Sequence, residues 1–155
     1  MQTTVIRATT IVRRAAVKPE RIADRLTLDH GDRHRRRVAL TGEGGLAFLL
    51  DLAEATVLED GDAVKLDDGR LVEVRAAPER LIEVKAATPL RLMKLAWHIG
   101  NRHIPCEITA DALYIADDHV LMEMVRGLGG SAEIVIRPFR PERGAYDHGG
   151  HGHGH

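Results

Sequence analysis

The residues best equipped for chemistry in this 155-residue chain are its nine histidines. Four of them, His148, His151, His153 and His155, alternate with glycines at the C-terminus. Neutral imidazole is the commonest protein ligand for late first-row metals, and with an ordinary pKa of about 6.5 most of it is neutral at pH 7. Glycines between the rings let a short chain fold several of them around one ion. Nitrogen donors favour nickel, copper or zinc over magnesium or calcium, and spacing alone does not choose among the three. The irregular glycine spacing is unlike a purification tag.

His98 and His103 lie in Trp97-His98-Ile99-Gly100-Asn101-Arg102-His103-Ile104-Pro105, the stretch that carries the single Trp. Taken alone, His103 reads more readily as a surface or capping histidine than as a ligand. One imidazole does not hold an ion firmly. A two-fold axis beside His103 would double it, and the tail or His119 could complete the shell. His119, at the start of a helix, is open to either reading, ligand or exposed first-turn residue. His98 reads as a partly buried structural histidine. Cys106 falls in an expected strand and reads as a buried thiol.

Composition narrows the class. The formal net charge of −1 gives no general pull toward nucleic acid or an anionic membrane. The one basic run, Arg33 to Arg37 with His34 inside it, has no interleaved aromatics and reads as a solvated strand face or partner contact. A single cysteine excludes a disulfide framework and suits a reducing cytosol. No apolar run approaches the ~18 residues of a membrane span, and no signal peptide is evident. No HExxH, GxSxG, Walker-type or GxGxxG pattern occurs, so a non-catalytic, cytoplasmic protein is expected.

The elements that must position these groups fall into two halves. Up to residue 76 the chain reads as short strands: Thr4 to Ala8, Arg21 to Leu28, a pair at Arg35 to Leu40 and Leu46 to Leu50, and a hairpin at Val64 to Val74. Asp68-Gly69 marks the hairpin turn, which would have positive φ at both central positions. No convincing amphipathic helix precedes residue 80. Pro78 marks the joint. Beyond it come a strand at Leu81 to Ala86, a helix begun by Thr88-Pro89 and stopped by a left-handed Gly100, strands at Pro105 to Ile108 and Ala112 to Ile115, a helix begun by Asp117 or Asp118, and a strand at Ser131 to Phe139. In the first helix Leu90, Met93 and Trp97 join Leu92, Leu95 and Ile99 in a broad apolar face, and in the second Val120 shares a face with Leu121 and Val125. The order β-α-β-β-α-β is that of a ferredoxin-like unit. The expectation is an α+β chain: an all-β domain over 1–76, a ferredoxin-like metal-binding domain over 77–142, and a disordered His/Gly tail over 143–155.

The run His98-Ile99-Gly100-Asn101-Arg102-His103-Ile104-Pro105 resembles the hallmark of the urease nickel metallochaperone family, UreE. Leu58-Glu59-Asp60-Gly61-Asp62, Asp118-His119-Val120-Leu121, Phe139-Arg140-Pro141-Glu142 and Gly144-Ala145-Tyr146 are similar as well, so the resemblance covers most of the chain. It implies a homodimer in which His103 of each protomer is the essential interface ligand. By the same resemblance His119 is an accessory ligand, and Asp117 stands where some members have another histidine. The implied role is to bind Ni(II) and pass it, through the urease GTPase accessory protein and the urease pre-activation complex, to the urease active site. A metal-storage or metal-sensing protein not dedicated to urease is the alternative.

Overall fold

The structure, a computed structural model, describes residues 5–142. It divides into two compact units between Ala77 and Pro78. The tail histidines His148, His151, His153 and His155 lie outside the described residues. The whole is mixed α+β and mostly sheet.

The first unit is one six-stranded sheet in the order β2-β6-β5-β1-β4-β3. Its strands are β1 (Arg7–Val12), β2 (Ile22–Leu28), β3 (His34–Thr41), β4 (Ala47–Val57), β5 (Ala63–Leu66) and β6 (Leu71–Ala76). Alternation along β4 buries Phe48, Leu50 and Leu52, which pack with Ala8, Leu26, Leu58, Leu66 and Val74. The β5–β6 hairpin closes on Asp67-Asp68-Gly69, where the Gly69 N–H donates to the Leu66 carbonyl at 2.9 Å. Of these turn residues only Gly69 has positive φ, at 91°, so the expected turn with two such positions is replaced by a longer loop closed by one left-handed glycine.

Two other expectations change. The first strand is Arg7–Val12 and not Thr4 to Ala8, because its pairing to β5 fixes Ala8 opposite Leu66 and Val12 opposite Ala63. Before residue 80 there are only short helical turns, at Arg14–Ala16, Pro19–Arg21 and α1 (His30–Arg33), the last capped by the Asp29 carboxylate, which accepts from the Asp32 N–H at 2.7 Å, so no amphipathic helix interrupts the described strands there. The basic run is not uniformly solvated: Arg33 is fully buried, and its Nη1 donates to the Leu58 carbonyl at 3.2 Å.

The second unit runs β7 (Pro78–Lys85), α2 (Pro89–Asn101), β8 (Glu107–Ile108), β9 (Leu113–Ala116), α3 (His119–Gly127) and β10 (Ser131–Pro138). Its sheet order is β10-β7-β9-β8, with every neighbouring pair antiparallel. Thr88 caps α2, its Oγ1 accepting from the Arg91 N–H at 3.1 Å, and Pro89 takes the first helical position, which lacks a hydrogen-bond acceptor anyway. Asp118 caps α3 by accepting from the N–H groups of Val120 and Leu121 at 2.8 and 3.2 Å. At the far end of α3 the Gly130 N–H reaches the Val125 carbonyl and the Gly129 N–H the Arg126 carbonyl, with φ of 89° at Gly129. This is the paired closure that a left-handed glycine permits. Leu95, Ile99, Leu121 and Val125 are the helix residues fully turned into the core with Ile82, Val84, Leu113 and Ile115. The broad faces expected on both helices are therefore narrower, with Leu90, Met93 and Trp97 on α2 and Val120 on α3 exposed.

Candidate metal-binding end of the second unit

The end of α2 is where the sequence and the structure part most usefully. Gly100 does not stop the helix. It lies within α2 at ordinary helical φ, and a side chain there would meet open space. The left-handed residue is His103, at φ 58°, the only non-glycine with positive φ among the described residues. Arg102 forms the C-cap, and the His103 N–H closes the turn on the Gly100 carbonyl at 3.0 Å. A position usually filled by glycine thus carries an imidazole. His tolerates this conformation better than most side chains, though at a cost. Such strain in an exposed turn is a reason to look there for function.

The antiparallel registers put several groups at one end of this sheet. Glu107 faces Tyr114, Leu81 faces Ala116 and Pro138 faces Pro78. β8 and β7 therefore begin, and β9 and β10 end, at the same edge. His103 enters β8 there and His119 leaves β9 there, both exposed. Asp117, between β9 and α3, is paired with Arg80 at 2.7 Å. His98 is half-buried one residue from Trp97, with the two rings edge-on and their centroids 5.1 Å apart. Among the described residues no three His, Cys, Asp or Glu side chains converge to hold an ion. His103 and His119 are brought to one end of the unit without forming a closed ligand cage.

Cys106 precedes β8 and is not within it. Burial, above all, and the neighbouring Glu142 and Glu107 carboxylates raise its thiol from 9.0 to about 11, against the pull of a Tyr114 backbone hydrogen bond. At neutral pH it is a protonated thiol and a poor metal donor. At pH 8 a disulfide thiol reagent is expected to attack the folded chain about a hundredfold more slowly than free cysteine, since two pKa units are two decades of thiolate. The rate should climb toward pH 11 and jump on unfolding. Reaction at the free-cysteine rate in the folded chain would contradict this placement.

Sequence reading missed the exposure of one helix face. Leu90, Met93 and Trp97 are 58, 62 and 64 % exposed. Their spacing continues through Gly100, so one side of α2 is an apolar stripe ending in a glycine just before His103. A groove of about 390 Å³ lined by Pro89, Leu92, Met93 and Ile108 opens at the other end of the helix. The apolar periodicity was visible in the sequence. That half of it faces outward was not.

Comparison with known proteins fits this two-unit layout. The description "UreE urease accessory protein, N-terminal domain" matches residues 7–77, and "UreE urease accessory protein, C-terminal domain" matches 79–155. The urease accessory protein UreE of Azorhizobium caulinodans is 60 % identical over 97 % of this chain and 73 % of its own length. That of Rhodopseudomonas palustris strain HaA2 is 59 % identical over 82 % of this chain, which spans 59 % of that relative. That of Chelativorans sp. strain BNC1 is 47 % identical over 96 % of this chain and 94 % of its own. The chain belongs to the UreE urease accessory protein family. Among its described residues no helix is long and apolar enough to cross a membrane.

Proposed function

We propose that this chain is a non-catalytic nickel chaperone that binds Ni(II) in the cytoplasm and delivers it for assembly of the urease active site. The observation that carries this reading is His103, an exposed imidazole held at φ 58° where helix-end geometry favours glycine. Nickel is cargo here. The donors fit it, since neutral imidazoles suit late first-row metals, with Zn(II) or Cu(II) as competitors.

His103 from two protomers forms the central site. The exposed stripe of Leu90, Met93 and Trp97 supports a homodimer, because apolar groups this exposed gain by covering one another. Gly100 at the end of the stripe lets two helices approach closely, since helix separation follows the side chains between them. His119 and the tail residues His148, His151, His153 and His155 serve as accessory ligands that collect the ion and complete the site. Few fixed ligands suit transfer, because a partner's donors can add before these leave. The strand order of the second unit supports a ferredoxin-like module for residues 77–142, and residues 1–76 serve contacts with the urease GTPase accessory protein and the urease pre-activation complex.

The test is urease activation in cells lacking this chain, at limiting nickel, with and without its return on a plasmid. Restored activity is expected. Full activity without the chain, or no rescue, would favour storage or sensing.

A further inference from the structure

The basic run of the first unit lies on an uncovered sheet edge. β2 and β3 are the two edges of the six-stranded sheet, and the chain treats them differently. The β3–β4 turn folds onto β2. There the Glu43 N–H donates to the Arg25 carbonyl at 2.8 Å, and Thr27 Oγ1 donates to the Glu43 carboxylate. The Asp24 carboxylate accepts from the N–H groups of Gly44 and Leu46 at 2.7 and 3.0 Å. The fit is close, since a Cβ at Gly42 would collide with the Asp24 carboxylate. One edge is thus occupied by the chain's own turn.

β3 has no such cover. Its one strand neighbour is β4, and among the described residues the backbone of residues 35–41 makes no hydrogen bond outside that ladder. An uncovered edge is a template for another strand. Val38 and Leu40 pack on the core, and the residues before them carry guanidiniums. Arg35 is held by Asp32 at 2.6 Å. Arg37 shares the Asp51 carboxylate with Arg7, at 3.9 and 3.4 Å. Arg36 is exposed and has no hydrogen bond or ion pair among the described residues. No carboxylate interrupts β3 itself. Glu54 lies in the stretch of β4, residues 52–55, that the register with β3 passes over.

These charges decide what the edge accepts. A second copy pairing its own β3 across the run would set arginines against arginines, and like charges opposite one another on paired strands repel. An acidic strand meets the opposite sign. Backbone bonds along the edge supply affinity, and alternate side chains supply specificity. Nucleic acid fits less well, because residues 33–41 hold no aromatic on which a base could stack.

We propose that the free edge of β3 binds an extended, Asp/Glu-rich segment of a partner protein, which adds to the first sheet as a further strand beside Arg35, Arg36 and Arg37. This rests on the reading that the first unit serves partner contacts, and names the surface and the chemistry of what it holds.

The test is a titration of the purified full chain with a fluorescent peptide of alternating Glu and Val, as long as the eight residues of β3. The controls are the same peptide with Lys for Glu, and oligouridylate RNA. The acidic peptide should bind at least about tenfold more tightly than either control, and less tightly as salt is raised. Amide hydrogen exchange should slow along residues 35–41 when it binds. Arg36→Glu combined with Arg37→Gln should weaken the peptide about tenfold or more, because one attraction is lost and another becomes a repulsion. Both side chains are exposed, so the melting temperature should change little. Tighter binding of the RNA would give the patch to nucleic acid. Peptide binding with unchanged exchange in β3 would reduce it to loose charge attraction, and binding that survives both substitutions would place it elsewhere on the chain. Any of these, or no binding of the acidic peptide, overturns the proposal. No urease component enters the titration. A storage or sensing chain would therefore fail the activation test in cells and still bind the peptide, which separates failure of that reading from failure of this proposal.

Discussion

Replacing His103 with Asn is expected to remove the tightest Ni(II) phase from a calorimetric titration and to leave the melting temperature nearly unchanged. The choice of Asn follows from the backbone. His103 has φ 58°, a conformation Asn adopts readily and Ala does not. His103→Ala would remove the ligand and also impose a left-handed cost of about 1–2 kcal/mol, mixing a folding effect into the binding result. His103→Asn keeps the turn and its bond to the Gly100 carbonyl while taking away the imidazole. Changing only the groups behind a metal ligand already costs about 10–100-fold in affinity. Losing the ligand itself from both protomers should therefore cost more than about a hundredfold. A high-affinity phase that survives unaltered would refute the central place given to His103 and shift the function to the tail.

The second large effect concerns assembly. Trp97→Asp combined with Met93→Asp should convert the proposed dimer to folded monomer, read as a halved mass in light scattering. Both side chains are more than half exposed, so the monomer loses little packing when they change. In a two-fold interface each substitution appears twice, facing or flanking its own copy, and the charges repel. Removing a Trp anchor alone typically costs at least about 2 kcal/mol at an interface, so the dimer dissociation constant should rise by more than about 30-fold. The tightest nickel phase should vanish with the dimer, since one His103 per ion remains. A dimer that persists at the same concentration would exclude the α2 stripe as its seam.

How much of this was legible in the sequence depended on whether the signal was local. Thr88-Pro89 and Asp118 announced the helix starts because a cap acts within three residues, and the structure shows each side chain on its N–H partner. The Asp68-Gly69 turn was readable for the same reason, whereas the strand expected from Leu81 begins three residues earlier, at Pro78, because β10 pairs with it from there. Gly100 misled because a glycine stops a helix only when the chain leaves through a left-handed residue, and here His103 takes that role. Arg33 misled because a buried arginine is supported by a carbonyl twenty-five residues away, at Leu58. The outward half of α2 was hidden because periodicity reports an apolar face and not what covers it. For the candidate site, the histidines were visible as residue types. The placing of His103 and His119 at one end of the second unit comes from strand register, which local pattern does not reveal.

The topology of the first sheet has a consequence for synthesis. β2 is an edge strand whose only neighbour is β6, paired in parallel from Ile22 opposite Leu71 to Leu28 opposite Ala76. β1 likewise waits for β4 and β5. A ribosome releases β2 long before β6 exists, and the β3–β4 hairpin, whose strands are close in sequence, can zip first. Closing the longer loops carries more entropy and comes later. For the interval between translation of Leu28 and Ala76 the nascent chain holds an unpaired, half-apolar strand, which a chaperone would have to shield until residue 76 has emerged.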